Sequence, residues 1–337
     1  MVRIAVYGAG GIGCYVGGRL AATGTDVVFI GRQRLADELA EHGLQLTDYL
    51  GADLLVRPVR YETAPAAAAD ADLVLVTVKS AATEAAADEL ADLLKPGAIV
   101  VSFQNGLRNG DILRDRLKDR IVLSGMVPFN VLNRGGGSFH QGTAGGLDIE
   151  EHPALADYVD AFARAGLPLT RHADILPVQW AKLLLNLNNP VNALSDLPLR
   201  DELSQRDYRR CLAVAQAETL ALLKAGGIKP ARLMVIPPQH LPAMLRLPDF
   251  LYKRLANKTL AIDPLARTSM WEDLRAGRST EVDFINGEVV RLAESLGRTA
   301  PVNAKLIDLI RAAESGPREG WTGSALLSEL TKTASGR

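Results

Sequence analysis

Two cysteines in 337 residues cannot make a disulfide framework, and Cys14 and Cys211 fall in separate helical patterns outside any pair-spaced motif, so no thiolate metal site is expected either. A reducing, cytoplasmic setting fits. Histidines are equally sparse, and His42, His140, His152, His172 and His240 show no helical or ligand-like clustering, which leaves no metal expected. The chain lacks G-x-S-x-G, the strained turn of a serine hydrolase. It lacks charge of one sign as well: 38 Lys and Arg against 39 Asp and Glu give −1, so neither nucleic acid nor an anionic membrane surface is an expected partner. No apolar run approaches the ~20 residues of a membrane helix, and no charged-then-apolar leader precedes the first strand. Aromatics make up only 5%, yet hydrophobic residues reach 47%, enough aliphatic material for two cores. Internal repeats are absent, and the one biased tract, 65–71, is rich in alanine and reads as a short helix. Small-molecule chemistry on a two-domain chain is what remains.

The first half reads as alternating strands and helices. Val2 to Tyr7 is a short β-rich run, followed at once by Gly8-Ala9-Gly10-Gly11-Ile12-Gly13 and a helical pattern through Leu20. In this setting G-x-G-x-x-G has a physical meaning: Gly8 allows the tight turn, Gly10 lets a pyrophosphate approach the backbone, and Gly13 lets helix and strand close together. The strand Asp26 to Ile30 ends in Gly31-Arg32, where NAD-binding folds place an acid for the ribose hydroxyls; Arg32, with Arg34 nearby, suits a 2′-phosphate instead. A plain solvated arginine opening the next helix is the alternative. Strand-like pieces follow at 44–47 and 53–59, then the continuous apolar run Leu73 to Val78 ending in Lys79, a helix to Leu94, and the strand Ala98 to Phe103 ending in Gln104-Asn105-Gly106. Lys79 and Asn105 thus lie at carboxyl ends of strands, the ligand edge of an open α/β sheet, although Asn-Gly is also ordinary turn chemistry. From Ile121 to Ile149 the glycines 135–137 and 145–146 read as hairpin punctuation and predict an antiparallel region, before a helix from Pro153 to Ala165 and a strand from Leu167 to Arg171.

Beyond Asp174 strands give way to helical patterns at 201–225, 229–260 (broken by prolines), 281–296 and 304–313. The stretch Pro177 to Pro190 predicts a helix that Pro190 ends or kinks. Lys182 and Asn186 share one of its faces, while Leu183, Leu184 and Leu187 spread around the others and imply burial on several sides. Such a lysine either snorkels to water or faces a cleft as a proton donor. Before the pattern at 281–296, Ser279 or Thr280 suits the N-cap, and Glu281 with Asp283 complements the helix dipole.

Gly8-x-Gly10-x-x-Gly13, Arg32, Lys79, Asn105-Gly106, Lys182-x-x-x-Asn186, Ser269-Met270 and Glu281-x-Asp283-x-Ile285-Asn286-Gly287 occur in the order and approximate spacing of the ketopantoate reductase (2-dehydropantoate 2-reductase) family, which the chain resembles over nearly its whole length. The resemblance implies an α/β N-terminal Rossmann-type domain, residues 1–173, that binds NADPH. It implies an all-α C-terminal domain, residues 174–337, for substrate and for homodimer formation, with the site in a cleft between them. Gly8, Ala9, Gly10, Gly11, Ile12, Gly13, Arg32, Lys79 and Asn105 would contact NADPH. Lys182 would be the general acid and Glu281 its catalytic companion, with Asn105, Asn186, Asn189 and Ser269 on a small 2-oxo acid. Two positions depart from the family pattern: Ala266 stands where an asparagine is common three residues before the Ser-Met serine, and Asn189-Pro190 comes one residue early. Both lie on the substrate side, so another 2-oxo acid competes with ketopantoate. A non-catalytic NADP-binding sensor is the reading from a different class. The residues read by themselves support the enzyme: hydride transfer to a ketone leaves an alkoxide that needs a proton, and Lys182 is the donor in hand.

Overall fold

The computed structural model describes residues 2–143, 145–255, 266–316 and 319–335, and the chain divides into two compact units, Met1–Ile175 and Leu176–Arg337. The last five residues of the 229–260 stretch lie outside the described residues.

In the first unit the elements are β1 (Arg3–Tyr7), α1 (Gly11–Ala22), β2 (Asp26–Ile30), α2 (Gln33–His42), β3 (Leu44–Asp48), β4 (Asp53–Val56), β5 (Tyr61–Glu62), β6 (Leu73–Val76), α3 (Thr83–Leu93), β7 (Ile99–Ser102), α4 (Asn109–Arg116), β8 (Ile121–Met126), β9 (Val131–Gly135), β10 (Ser138–Gln141), β11 (Leu147–Glu150), α5 (Ala156–Arg164) and β12 (Leu169–His172). Alternation along β1 explains the layering: Ile4 and Val6 enter one core with α1, and Ala5 and Tyr7 enter another with α3 and α4. The main sheet has the order β12-β11-β8-β7-β6-β1-β2-β5, parallel from β5 to β8. The chain builds outward from β1 through β2, then returns to place β6 on its other side. The topological switch therefore falls between the carboxyl ends of β1 and β6.

The stretch from Ile121 to Ile149 is not the single antiparallel region that its glycines predict. β8 is parallel to β7, because IVLSGM is almost wholly buried and belongs inside the main sheet. The half-exposed hairpin β9–β10 leaves to join a second sheet of order β4-β3-β10-β9, and β11 returns antiparallel to β8. Helix α1 packs between the sheets. A Cβ on Gly17 would lie 2.5 Å from Val6 and 2.7 Å from Phe29 in the main sheet, and one on Gly18 would lie 2.7 Å from Leu46 and 2.8 Å from Leu44 in the other.

The second unit is helical among its described residues: α6 (Leu176–Asn186), α7 (Asn188–Ser195), α8 (Leu199–Ser204), α9 (Arg206–Ala225), α10 (Leu241–Leu245), α11 (Asp249–Leu255), α12 (Ser269–Arg275), α13 (Val282–Ser295), α14 (Pro301–Ser315) and α15 (Gly323–Ser335). Pro190 neither ends nor directly kinks a helix. It is the third residue of α7, where a missing N–H costs nothing, and the break comes earlier, at Leu187. The pattern from 201 to 225 is likewise two helices, divided at the extended Gln205. α15, unanticipated because serine and threonine dilute its apolar positions, buries Leu326, Leu327 and Leu330 and packs on α9 and α14. Among the described residues no helix is long and apolar enough to cross a membrane.

The tight seat of α1 gives a direct stability expectation. Gly17→Ala gains helix propensity of ~1 kcal/mol but overpacks a buried contact at a cost of ~1–3 kcal/mol, so a net loss is expected as a lower denaturation midpoint in urea. An unchanged or raised midpoint would show that α1 can move away from β1 and β2 freely.

Candidate functional site

In the first unit the site residues collect at the switch point. Gly8 follows β1 with φ +99, a conformation open to glycine, and a side chain there would meet Val78 at 2.5 Å. Gly8 N and Ala9 N donate to Ile30 O at 3.0 and 2.9 Å, which fastens the loop to the end of β2. Gly13 closes the wedge: its Cβ would sit 2.5 Å from Thr77 Oγ1 and 2.8 Å from Val6. Gly10 is different. It is exposed, caps the N-terminus of α1, and a Cβ added there meets only Gly8 O at 3.9 Å. No side chain caps α1 and no acid stands in its first turn, so its free N–H groups and positive dipole end face open ground. Gly11 and Ile12 are half-buried beside it. This cradle fits a pyrophosphate.

Arg32 stands two residues past β2 as the N-cap of α2, exposed, and its guanidinium makes no ion pair among the described residues. Tyr61 donates its hydroxyl to Arg32 O at 3.3 Å and would clash with any Cβ on Gly31, at 2.3 Å. Burial pushes the Tyr61 phenol up to about 12, so it remains a neutral donor. The role of Gly31 is thus to admit Tyr61, a neighbour that no local pattern announces.

Lys79 lies exposed just beyond β6, and the loop after β7 is bound to the loop that carries it. Asn105 O accepts from Ser80 Oγ at 2.9 Å and from Asn109 Nδ2 at 2.6 Å, and Gly106 turns with φ +90. Gln104 Nε2 donates to Val78 O at 3.0 Å and to Thr83 Oγ1 at 2.7 Å. The main chain of Asn105 therefore does serve as a turn anchor. Thr83, Gln104 and Asn109 form a buried or half-buried polar lattice that the sequence reading missed, and Thr77 Oγ1 separately donates to Gly8 O at 2.8 Å.

In the second unit Lys182 and Asn186 lie one turn apart on α6, each half-buried. Burial is the cause that lowers the Lys182 ammonium from 10.5 to about 8. Snorkelling to open water would leave it unshifted. Asn189, on α7, offers its carbonyl to the Thr268 hydroxyl at 3.5 Å, and Thr268 caps α12, whose first residue is the exposed Ser269. The Asn189 and Ser269 segments are thereby adjacent. Glu281 occupies the N-cap position of α13 but its side chain makes no cap bond there; Thr280 Oγ1 takes Val282 N at 3.4 Å instead. At 7% exposure Glu281 is more deeply buried than a residue serving only the helix dipole needs to be. Asp283 pairs with Arg311 at 2.7 Å, and Asn286 is a core residue whose Nδ2 donates to Asn303 Oδ1 at 3.0 Å while its own Oδ1 is left buried without a partner.

Comparison with known proteins matches both units. The family model described as ketopantoate reductase PanE/ApbA matches residues 4–154, and its C-terminal companion matches residues 174–314. A 2-dehydropantoate 2-reductase of Halobacterium salinarum is 30% identical over 323 residues, 93% of this chain and 99% of that protein. The crystal structure of a PanE/ApbA family ketopantoate reductase from Ralstonia eutropha JMP134 superposes with a TM-score of 0.80 and 31% identity, covering 93% of this chain and 99% of the other. A D-mandelate dehydrogenase solved with NADH and anilino(oxo)acetate superposes at 0.77 but with 20% identity, and shares the fold. With an N-terminal parallel sheet, a helical second unit and both family models in sequence, the chain belongs to the ketopantoate reductase family of oxidoreductases.

Proposed function

We propose that the protein reduces a small 2-oxo acid with NADPH, ketopantoate to pantoate being the first assignment, and that Lys182 is the general acid. The observation that carries this is the partly desolvated lysine on α6, its pKa lowered to about 8 by burial, one turn from Asn186. Bound NADPH supplies a hydride to the ketone carbon. The protein must then supply the proton that the ketone oxygen takes, and an ammonium poised near 8 gives it up far more readily than one at 10.5 while still being mostly charged at neutral pH. Its positive charge also stabilises the oxygen as negative charge grows. Gly8 to Gly13 would hold the pyrophosphate, Arg32 the 2′-phosphate, and Lys79 and Asn105 the remainder of the nucleotide. Asn105, Asn186, Asn189 and Ser269 would orient the 2-oxo acid, and Glu281 would accept from its hydroxyl. The division at residue 173 and a homodimer formed through the helical half in the cytoplasm belong to the same reading. A different 2-oxo acid is favoured by one feature: buried Ala266 places a methyl group where ketopantoate reducers often carry an amide. NADPH oxidation by the purified protein across a panel of 2-oxo acids decides between them, and turnover of none would reject the activity.

Arg32→Ala should raise the KM for NADPH roughly 10- to 100-fold, the ~1.5–3 kcal/mol of a charge-assisted contact, and leave NADH nearly unaffected. Equal effects on the two cofactors would remove Arg32 from phosphate recognition. Lys182→Ala should lower kcat ~10²-fold or more while NADPH affinity stays near wild type. Because the protonated lysine is the active form, wild-type kcat should fall as pH rises through about 8, and the alanine variant should lose that limb. A wild-type profile still flat well above that pH would assign the proton to another group. For Glu281→Gln, a loss of kcat/KM confined to 2-oxo acids that carry a hydroxyl is expected, with analogues lacking it spared. Parallel losses on both substrates would exclude hydroxyl recognition.

A further inference from the structure

Behind the Asn189 and Ser269 segments lies a buried polar cluster that no step above uses. Glu202, on α8, is 0% exposed. Its Oε2 accepts from Asn192 Nδ2 at 2.8 Å and from Asn188 Nδ2 at 3.3 Å, both on α7. Asn192 spends every remaining group: Nδ2 also donates to Leu197 O at 2.9 Å, and Oδ1 accepts from Thr268 N at 3.0 Å, at the start of α12. Three residues on from Thr268, Trp271 Nε1 donates to Asp196 Oδ1 at 2.6 Å, so α12 is clipped to the end of α7 a second time.

The cluster contains two orphan acceptors, Glu202 Oε1 and Asn188 Oδ1, buried and without a partner. Each of these lone acceptors lacks one thing, a donor. One proton on Oε1 supplies it, and the carboxylic acid then meets the Asn188 amide as a donor–acceptor pair, with Nδ2 to Oε2 as the half already visible. An ionised Glu202 would instead be a full charge out of water among neutral amides. Among the described residues no cation is at hand to balance it. Arg209 is fully buried nearby on α9, but it pairs with Asp249 at 2.8 Å and donates to Leu203 O, Leu245 O and Leu247 O. The other titratable groups that feel Glu202 are Tyr208 and Cys211 from α9 and Tyr252 from α11, all raised by burial and neutral at pH 7. Desolvation correspondingly raises Glu202 from 4.5 to about 8.

We propose that Glu202 is a positioning residue of the reductase, a neutral carboxylic acid that locks Asn188 and Asn192 and, through Asn192 and Thr268, holds Asn189 and Ser269 in the arrangement that binds the 2-oxo acid. This rests on the substrate role given above to Asn189 and Ser269. Asn188 opens α7 directly after the break at Leu187, so the lock also fixes where the chain turns after Lys182 and Asn186.

Glu202→Gln preserves the shape, because its amide can donate to Asn188 Oδ1 and its carbonyl can accept from Asn192. Glu202→Leu fills the space and supplies neither. Leu should raise the KM for the 2-oxo acid roughly tenfold or more and leave the KM for NADPH within about twofold, whereas Gln should return both to near wild type. A wild-type KM in the Leu variant overturns the positioning role, and a Gln variant as impaired as Leu shows that charge is needed. Melting temperatures supply an arm independent of turnover. The folded state keeps a proton that an unfolded glutamate has lost, so the stability from Glu202 is present below 4.5 and is lost as pH rises through about 8. The melting temperature of Gln minus that of wild type should therefore grow as pH rises between about 5 and 8. A pH-independent difference rejects the neutral acid even if Leu fails to fold. If wild type turns over no 2-oxo acid while the melting difference grows, the substrate reading and with it the positioning role fail, and the neutral acid stands as a structural group.

Discussion

The first unit depends on how closely α1 can approach the strands on either side of it. Gly13 and Gly17 bring its backbone against Val6, Phe29 and Thr77, and Gly18 brings its other flank against Leu44 and Leu46. That approach sets the position of the helix N-terminus, and through it the anion cradle at Gly10. A helix displaced by even the width of a methyl group would point its free N–H groups elsewhere, so the packing of the core and the geometry of the cofactor end are one constraint. The second sheet is part of the same device. It covers the face of α1 turned away from the main sheet and closes a core with Leu44, Leu46 and Phe139 against Tyr15 and Val16.

The helical unit solves a different problem, which is how to keep ionisable groups out of water. Lys182 and Glu202 are both shifted toward their neutral forms by burial, yet they differ in consequence. A lysine near 8 remains mostly cationic at neutral pH and can exchange a proton; a glutamic acid near 8 remains mostly neutral and can donate a hydrogen bond. The same physical cause thus makes one group suited to proton transfer and the other suited to holding structure.

Much of this was legible in the sequence, for reasons that differ by element. The wedge glycines were readable because strand, glycine spacing and helix are contiguous, and the buried strands because continuous apolar runs allow few other placements. Lys182 stood out as a cation in an otherwise apolar helix. Tyr61, Thr83, Gln104, Asn109, Asn192 and Glu202 did not, because each acquires its partner through a fold-level contact rather than a neighbour in the chain. The antiparallel expectation for 121–149 held for the β9–β10 hairpin and for β11 against β8, and failed for β8 against β7 on the same ground. Hairpin glycines are local signals, whereas β8 is claimed by β7 and β10 by β3, strands far away in sequence. Pro190 carried a local signal wrongly placed: it sits in the first turn of α7, where its missing N–H is no loss, and the break falls three residues before it, at Leu187.

Family membership constrains the two halves of the chemistry unequally. A pyrophosphate cradle is made of backbone, and any member that keeps the glycines keeps the cradle. Under the proposal above, substrate choice would rest on side chains of α6, α7, α12 and the loops before α12 and α13, where the buried Ala266 side chain offers neither a donor nor an acceptor. Discrimination by polar groups is asymmetric: a site built to hydrogen-bond a hydroxyl rejects a ligand lacking it by orders of magnitude, while an apolar site merely tolerates the hydroxyl poorly. If position 266 faces the substrate as proposed above, the absence of a polar contact there would widen the range of acceptable 2-oxo acids, unless Glu281 and Ser269 kept the hydroxyl contact between them. Hydride chemistry is common to every substrate in that range, which is why the reaction class follows from the family while the acid itself has to be read from the polar groups that remain.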